Sequence, residues 1–149
     1  MAKFNFKMAS ILSIREKMED LKKNEFGKAV KQLEIEKNRM VNLLLAEKNC
    51  IDSFRQKLQT GTYPEDVRMH NLYLKRLEFL KIKQQEMIDA AEIVVEERRL
   101  ELVEAMRERK ALEILKENQY EEFLMEEKQA EQKVVDEIVS YRGAKKSSS

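Results

Sequence analysis

The sequence predicts an all-α fold: a long antiparallel two-helix coiled-coil hairpin with an overhanging C-terminal helix. Three observations carry this expectation. Only three Gly and one Pro occur in 149 residues, so almost nothing breaks a helix. The Pro and one Gly fall together at Gly61-Thr62-Tyr63-Pro64. On both sides of that corner, apolar residues recur at helical spacing with charged residues between them.

Helix one is expected over about residues 7–59. Its apolar stripe opens with Met8, Ile11, Ile14, Met18 and Leu21, slips phase, and resumes at Phe26, Val30, Leu33, Met40, Leu44, Ile51, Phe54 and Leu58. The later steps alternate three and four residues, the coiled-coil seam, with Lys37 and Glu47 loosening it. Gly27 lies near the slip, at a cost of roughly 1 kcal/mol relative to Ala. It reads either as a local irregularity or as a close-contact point for a partner.

The corner covers residues 60–66. Pro64 is tolerated in a helix's first turn, where its missing N–H costs nothing, and Glu65 and Asp66 suit the positive helix end.

Helix two is expected over about 65–141. Its seam is written Tyr73, Leu77, Leu80, Gln84, Met87, Ala91, Val94, Arg98, Glu101, Ala105, Glu108, Leu112 and Leu115, with Ile88, Val95 and Leu102 as a flanking row. Gly143 is a plausible stop, leaving 143–149 as a flexible tail and 1–142 as a single hairpin.

At 1.5 Å per residue, helix one would measure about 75 Å and helix two about 115 Å. The segment Glu117 to Tyr141 would then overhang its partner. It keeps Tyr120, Phe123, Leu124, Val134, Val135, Ile138 and Val139, an apolar stripe that points to a binding surface.

Composition limits the function classes. Charged residues make up 38% and aromatics 7%, with no Trp, which suits a stripe rather than a globular core. The 29 basic and 28 acidic residues leave no basic excess for nucleic acid. Residues 1–60 hold 13 basic and 8 acidic groups, a net of +5; residues 61–149 hold 16 and 20, a net of −4. That difference favours pairing of the two arms, although exposed pairs contribute little individually.

Cys50 is the only cysteine, so no internal disulfide forms. No secretion signal and no membrane span are expected, since the longest apolar run, Met40 to Ala46, is short and holds Asn42. His70 is the only histidine and is expected to be solvated, so no metal or cofactor is anticipated. Gly143-Ala144-Lys145-Lys146-Ser147 lacks the first Gly and the strand of a phosphate loop. The eight Met are scattered and read as seam filler. Nothing in the sequence points to an enzyme.

Two stretches carry a family resemblance. The opening Phe4-x-Phe6-Lys7…Ile11-Leu12-x-Ile14-Arg15-Glu16-x-x-Glu19, followed by Glu25-Phe26-Gly27-Lys28-Ala29, resembles the start of the flagellar export protein FliJ in its Gram-positive-like form. The closing stretch from Glu108-Arg109-Lys110-Ala111-Leu112-Glu113 through Tyr120, Glu126-Glu127-Lys128 and Asp136-Glu137-Ile138 is similar to the FliJ C-terminal region.

The resemblance implies a soluble, cytoplasmic component of the flagellar type III export apparatus, peripherally associated with the membrane. It implies a stalk-like activator of the hexameric export ATPase (FliI-like) that contacts the export gate (FlhA-like) and escorts flagellar export chaperones. Ring-contact candidates by this resemblance are Ile11, Ile14, Arg15, Tyr120, Phe123 and Leu124. Gate-contact candidates are Leu44, Ile51, Tyr73, Leu77 and Leu80. The alternatives are a stalk subunit of a virulence-type secretion system or rotary ATPase, or a structural coiled-coil adaptor. The acidic C-terminal arm departs from a strongly basic stalk.

Overall fold

Absence of helix breakers translates directly into two helices. In the computed structural model, which describes residues 2–147, α1 spans Ala9–Thr60 and α2 spans Pro64–Ser147. Among the described residues there is no strand, and the fold is an antiparallel two-helix coiled-coil hairpin.

The corner works by local chemistry. Gly61 takes a φ of 96°, a left-handed conformation that costs a residue with a Cβ. The Thr60 hydroxyl donates to the Lys57 carbonyl at 3.2 Å and so satisfies an orphan acceptor of the last α1 turn. Pro64 opens α2, and the Asp66 amide donates to the Tyr63 carbonyl at 3.0 Å. Glu65 and Asp66 lie in the first turn, against the positive end of the helix dipole.

Both helices exceed their expected bounds at the C-terminal side, and α2 does so by the wider margin. It continues through Gly143 to Ser147, so Gly143 does not end it. A single Gly costs a helix only about 1 kcal/mol, and the Ala, Lys and Arg residues around it are good helix formers. Residues 143–147 of the expected tail are therefore helical, and 148–149 lie outside the described residues.

The chain divides into two compact units, Met1–Glu19 with Ala105–Ser149 and Asp20–Glu104. In the second unit, ordered contacts pair Lys22 with Glu101, Glu36 with Gln84, Glu47 with Lys81 and Cys50 with His70. Numbers rise on one helix as they fall on the other, so the pair is antiparallel. Leu77, Ile88 and Ala29 form its buried apolar core.

In the first unit the pairing is Arg15 with Glu108 at 2.6 Å and Glu19 with Arg109, with Leu12 and Ala105 buried. The segment before α1 also packs inward. Phe6 is buried, its carbonyl accepts from the Ala9 amide at 3.1 Å, and Phe4 meets the Tyr120 ring at 5.2 Å and the Phe123 ring at 5.6 Å. Every residue from Lys128 to Ser147 is exposed.

Candidate functional site

The seam decides which side chains remain for contact. Covered positions on α1 step by three and four without interruption: Leu12, Arg15, Glu19, Lys22, Phe26, Ala29, Leu33, Glu36, Met40, Leu43, Glu47, Cys50 and Phe54. There is no phase slip. Ile11, Ile14, Met18 and Leu21, read as the opening seam, are exposed, because charged residues occupy the seam there and each has a partner across it. On α2 the row Leu77, Gln84, Ala91, Arg98, Ala105 and Leu112 lies in the seam as expected. Its companion row is Leu74, Lys81, Ile88, Val95, Leu102 and Arg109. Tyr73, Met87, Val94 and Leu115 are exposed instead.

Among the ring-contact candidates, all in the first unit, Ile11, Ile14 and Leu124 are exposed and free to touch a partner. Arg15 is held by Glu108. Tyr120 is half-exposed and Phe123 half-buried, and Phe4 packs against both rings. The aromatic start of the expected overhang therefore has an internal partner. A groove of about 580 Å³ beside it is lined by Phe4, Leu12, Glu16, Glu113, Lys116, Glu117 and Tyr120. The fully exposed stretch begins farther along, and its apolar residues are Val134, Val135, Ile138, Val139 and Tyr141.

Among the gate-contact candidates, all in the second unit, Leu44 and Tyr73 are exposed, and Ile51 and Leu80 are half-buried. Leu77 is 3% exposed and holds the seam, so it offers no surface.

The polar seam carries most of the electrostatics. Glu36, 2% exposed, accepts from Gln84 Nε2 at 2.6 Å, from Gln32 at 2.9 Å and from Arg39 at 3.1 Å. The Gln84 amide also donates to the Glu36 backbone carbonyl at 2.8 Å. The Gln84 hydrogen bond foremost holds the Glu36 carboxyl below its ordinary range; burial opposes it, and Arg39 and Gln32 assist. Lys22 is held above its ordinary range by hydrogen bonds to Glu101 and then Glu25.

His70 is not simply solvated. Its ring stacks on Phe54 at 3.9 Å, and its Nδ1 lies 3.3 Å from Cys50 Sγ. Among the described residues, no cluster of three or more His, Cys, Asp or Glu is arranged to hold a metal. No described helix is long and apolar enough to cross a membrane.

Sequence reasoning missed three features. Phe4 as an internal cover gives no periodic signal, because it precedes the helix. The Glu36–Gln84 pair carries no apolar mark. The exposed row Leu72, Phe79, Ile93 and Leu100 on α2 was legible in its seven-residue spacing.

These features define a coiled-coil hairpin whose grooves are shallow and whose exposed apolar residues lie along helix surfaces, the profile of a protein that works by contact. The family model described as the flagellar FliJ protein matches residues 4–148, and the chain belongs to that family, whose members are associated with type III protein export. No individually curated protein matches the chain. The solved structure of a candidate YscO homologue, CT670 from Chlamydia trachomatis, is 22% identical over 91% of this chain and 93% of its own, with a TM-score of 0.58. At that identity the likeness is one of fold.

Proposed function

We propose that this protein is the stalk-like activator of a hexameric flagellar export ATPase, that it contacts the export gate, and that it escorts export chaperones. The observation that carries this reading is the family match across residues 4–148. A surface built for contact accompanies it: Ile11, Ile14 and Leu124 stand exposed in the first unit, Leu44 and Tyr73 in the second. Ring contact falls to the first group, with Arg15, Tyr120 and Phe123 holding the local geometry behind it. Gate contact falls to Leu44 and Tyr73 with the half-buried Ile51 and Leu80, while Leu77 braces the seam beneath. The protein acts in the cytoplasm at the membrane-bound export apparatus and hydrolyses no ATP itself.

The test is titration of the chain into its cognate export ATPase. Stimulated hydrolysis is the expected result. Ile14→Asp combined with Leu124→Asp should abolish the stimulation, and Leu44→Asp with Tyr73→Asp should leave it intact while reducing capture by the export gate. An unchanged ATPase rate at saturating ratios would sink the reading.

The fold likeness to a candidate YscO homologue favours one alternative, a stalk of a virulence-type secretion ATPase. Stimulation of that ATPase, and not of a flagellar one, would select it.

A further inference from the structure

The second unit buries one face of α2 against α1, and the opposite face is also patterned. Opposite the seam runs a row of positions seven apart: Leu72, Phe79, Glu86, Ile93 and Leu100. The four apolar members are 55–61% exposed, although a coiled-coil arm needs only one apolar face. Met69, Ile82 and Val103 flank the row, and all three are exposed.

Charge on this face is divided about Glu86. Before it, the flanking charges are Arg68, Lys75, Arg76 and Lys83, all basic and exposed. After it they are Asp89, Glu96 and Glu97, all acidic and exposed. A helix face that is basic at one end, acidic at the other and apolar along its centre is complementary to itself when reversed.

We infer that the occupant of this face is a second copy of this chain, with the two α2 helices packed back to back and antiparallel about a two-fold axis at Glu86. That arrangement places Leu72 opposite Leu100 and Phe79 opposite Ile93. It also places Lys75 beside Glu96 on one flank and Arg76 beside Glu97 on the other, because the two-fold keeps each flank with its own copy. A two-fold contact requires this isologous correspondence, and a partner of unrelated sequence would not require it. Glu96 is already held by Arg99 at 2.7 Å, so Lys75 joins an existing pair. The cost of the arrangement is at the axis, where Glu86 meets its own copy. Lys83, 3.6 Å from Glu86 within each chain, offsets that repulsion.

The contact runs from Met69 to Val103, about 51 Å at helical rise. A strip one helix wide, about 10 Å, buries roughly 1,000 Å² over both copies, near the lower limit for a specific interface. The dimer is therefore weak and dependent on concentration.

Sedimentation equilibrium of the full chain over a concentration series tests the inference. The wild type should show a reversible monomer–dimer equilibrium. Phe79→Asp, at an exposed position that leaves the helix intact by circular dichroism, should weaken it by more than about tenfold. Glu86→Leu should strengthen it. Lys75→Glu with Arg76→Glu in one chain, and Glu96→Lys with Glu97→Lys in another, should each abolish self-association. Mixed, the two should form a heterodimer, because every reversed charge then meets its opposite. A wild type that stays monomeric at the highest concentration overturns the inference. So does a dimer indifferent to Phe79→Asp, or a charge-reversed pair that fails to associate.

Discussion

Leu77→Ala and Leu72→Ala make the same chemical change on the same helix, five residues apart, and their consequences should differ severalfold. Leu77 is 3% exposed in the seam of the second unit, whereas Leu72 is 56% exposed on the opposite face. Replacing Leu by Ala removes three carbons, or about 2.4 kcal/mol at roughly 0.8 kcal/mol per buried methylene. The cavity left at Leu77 adds to this where the helices do not close over it, giving about 3 kcal/mol. At Leu72 much of the side chain already meets water, so the loss stays below about 1 kcal/mol. Ala is the better helix former, so neither loss comes from the backbone. For a chain of this size, about 3 kcal/mol lowers Tm by about 6–12 °C. Thermal unfolding followed by circular dichroism at the helical minimum reads the difference. Equal Tm values for the two variants would refute the seam placement of Leu77 and reopen it as a docking residue.

Further outcomes follow from other contacts. Glu36 has its folded pKa depressed below 4.5, so its stabilising contribution is complete above that value and is lost as pH falls through the folded pKa. Glu36→Gln should therefore flatten part of the acid limb of a stability–pH profile below about pH 4.5. An added Cβ at Gly27 meets nothing within 4 Å, so Gly27→Ala should stabilise by about 0.5–1 kcal/mol in urea unfolding. Gly61→Ala should destabilise by about 1–2 kcal/mol, because it forces a Cβ onto a φ of 96°. Phe4→Ala removes an edge contact to Tyr120 and should weaken local packing by about 0.5–1.5 kcal/mol. Faster amide hydrogen exchange from Tyr120 to Phe123 would register it, and unchanged exchange would place the aromatic segment off α2.

The helices and the corner were legible in the sequence because they depend on local rules: few breakers, a lone Pro beside a Gly, and a long apolar period. The face each residue presents was only partly legible. Counting apolar residues selected Ile11, Ile14, Met18 and Leu21, yet Arg15, Glu19 and Lys22 occupy the seam alongside them. Those charges are tolerated because Glu108, Arg109 and Glu101 meet them from α2. A charge becomes acceptable in a seam only through its partner, and that partner lies 79 to 93 residues away in sequence. The same limit shifted one row of α2, where Lys81 is tied to Glu47 and Ile88 lies beneath the surface. The candidate contact residues divided along this line. Exposed Ile14, Leu44 and Leu124 keep their surface, and buried Leu77 does not.

The polar layers of the second unit also fix the register between its helices. A slip of one heptad would bring Ala91 or Leu77 to the place of Gln84 beside Glu36. The same slip would bring Ile88 or Leu74 to the place of Lys81 beside Glu47. Either direction removes the donor from α2 and turns both carboxylates toward hydrocarbon, leaving Glu36 only Gln32 and Arg39 of its own helix, a larger loss than the nearly interchangeable apolar layers would suffer alone. The two helices are thus keyed like the teeth of a rack, and an axial load on one must pass to the other without creep.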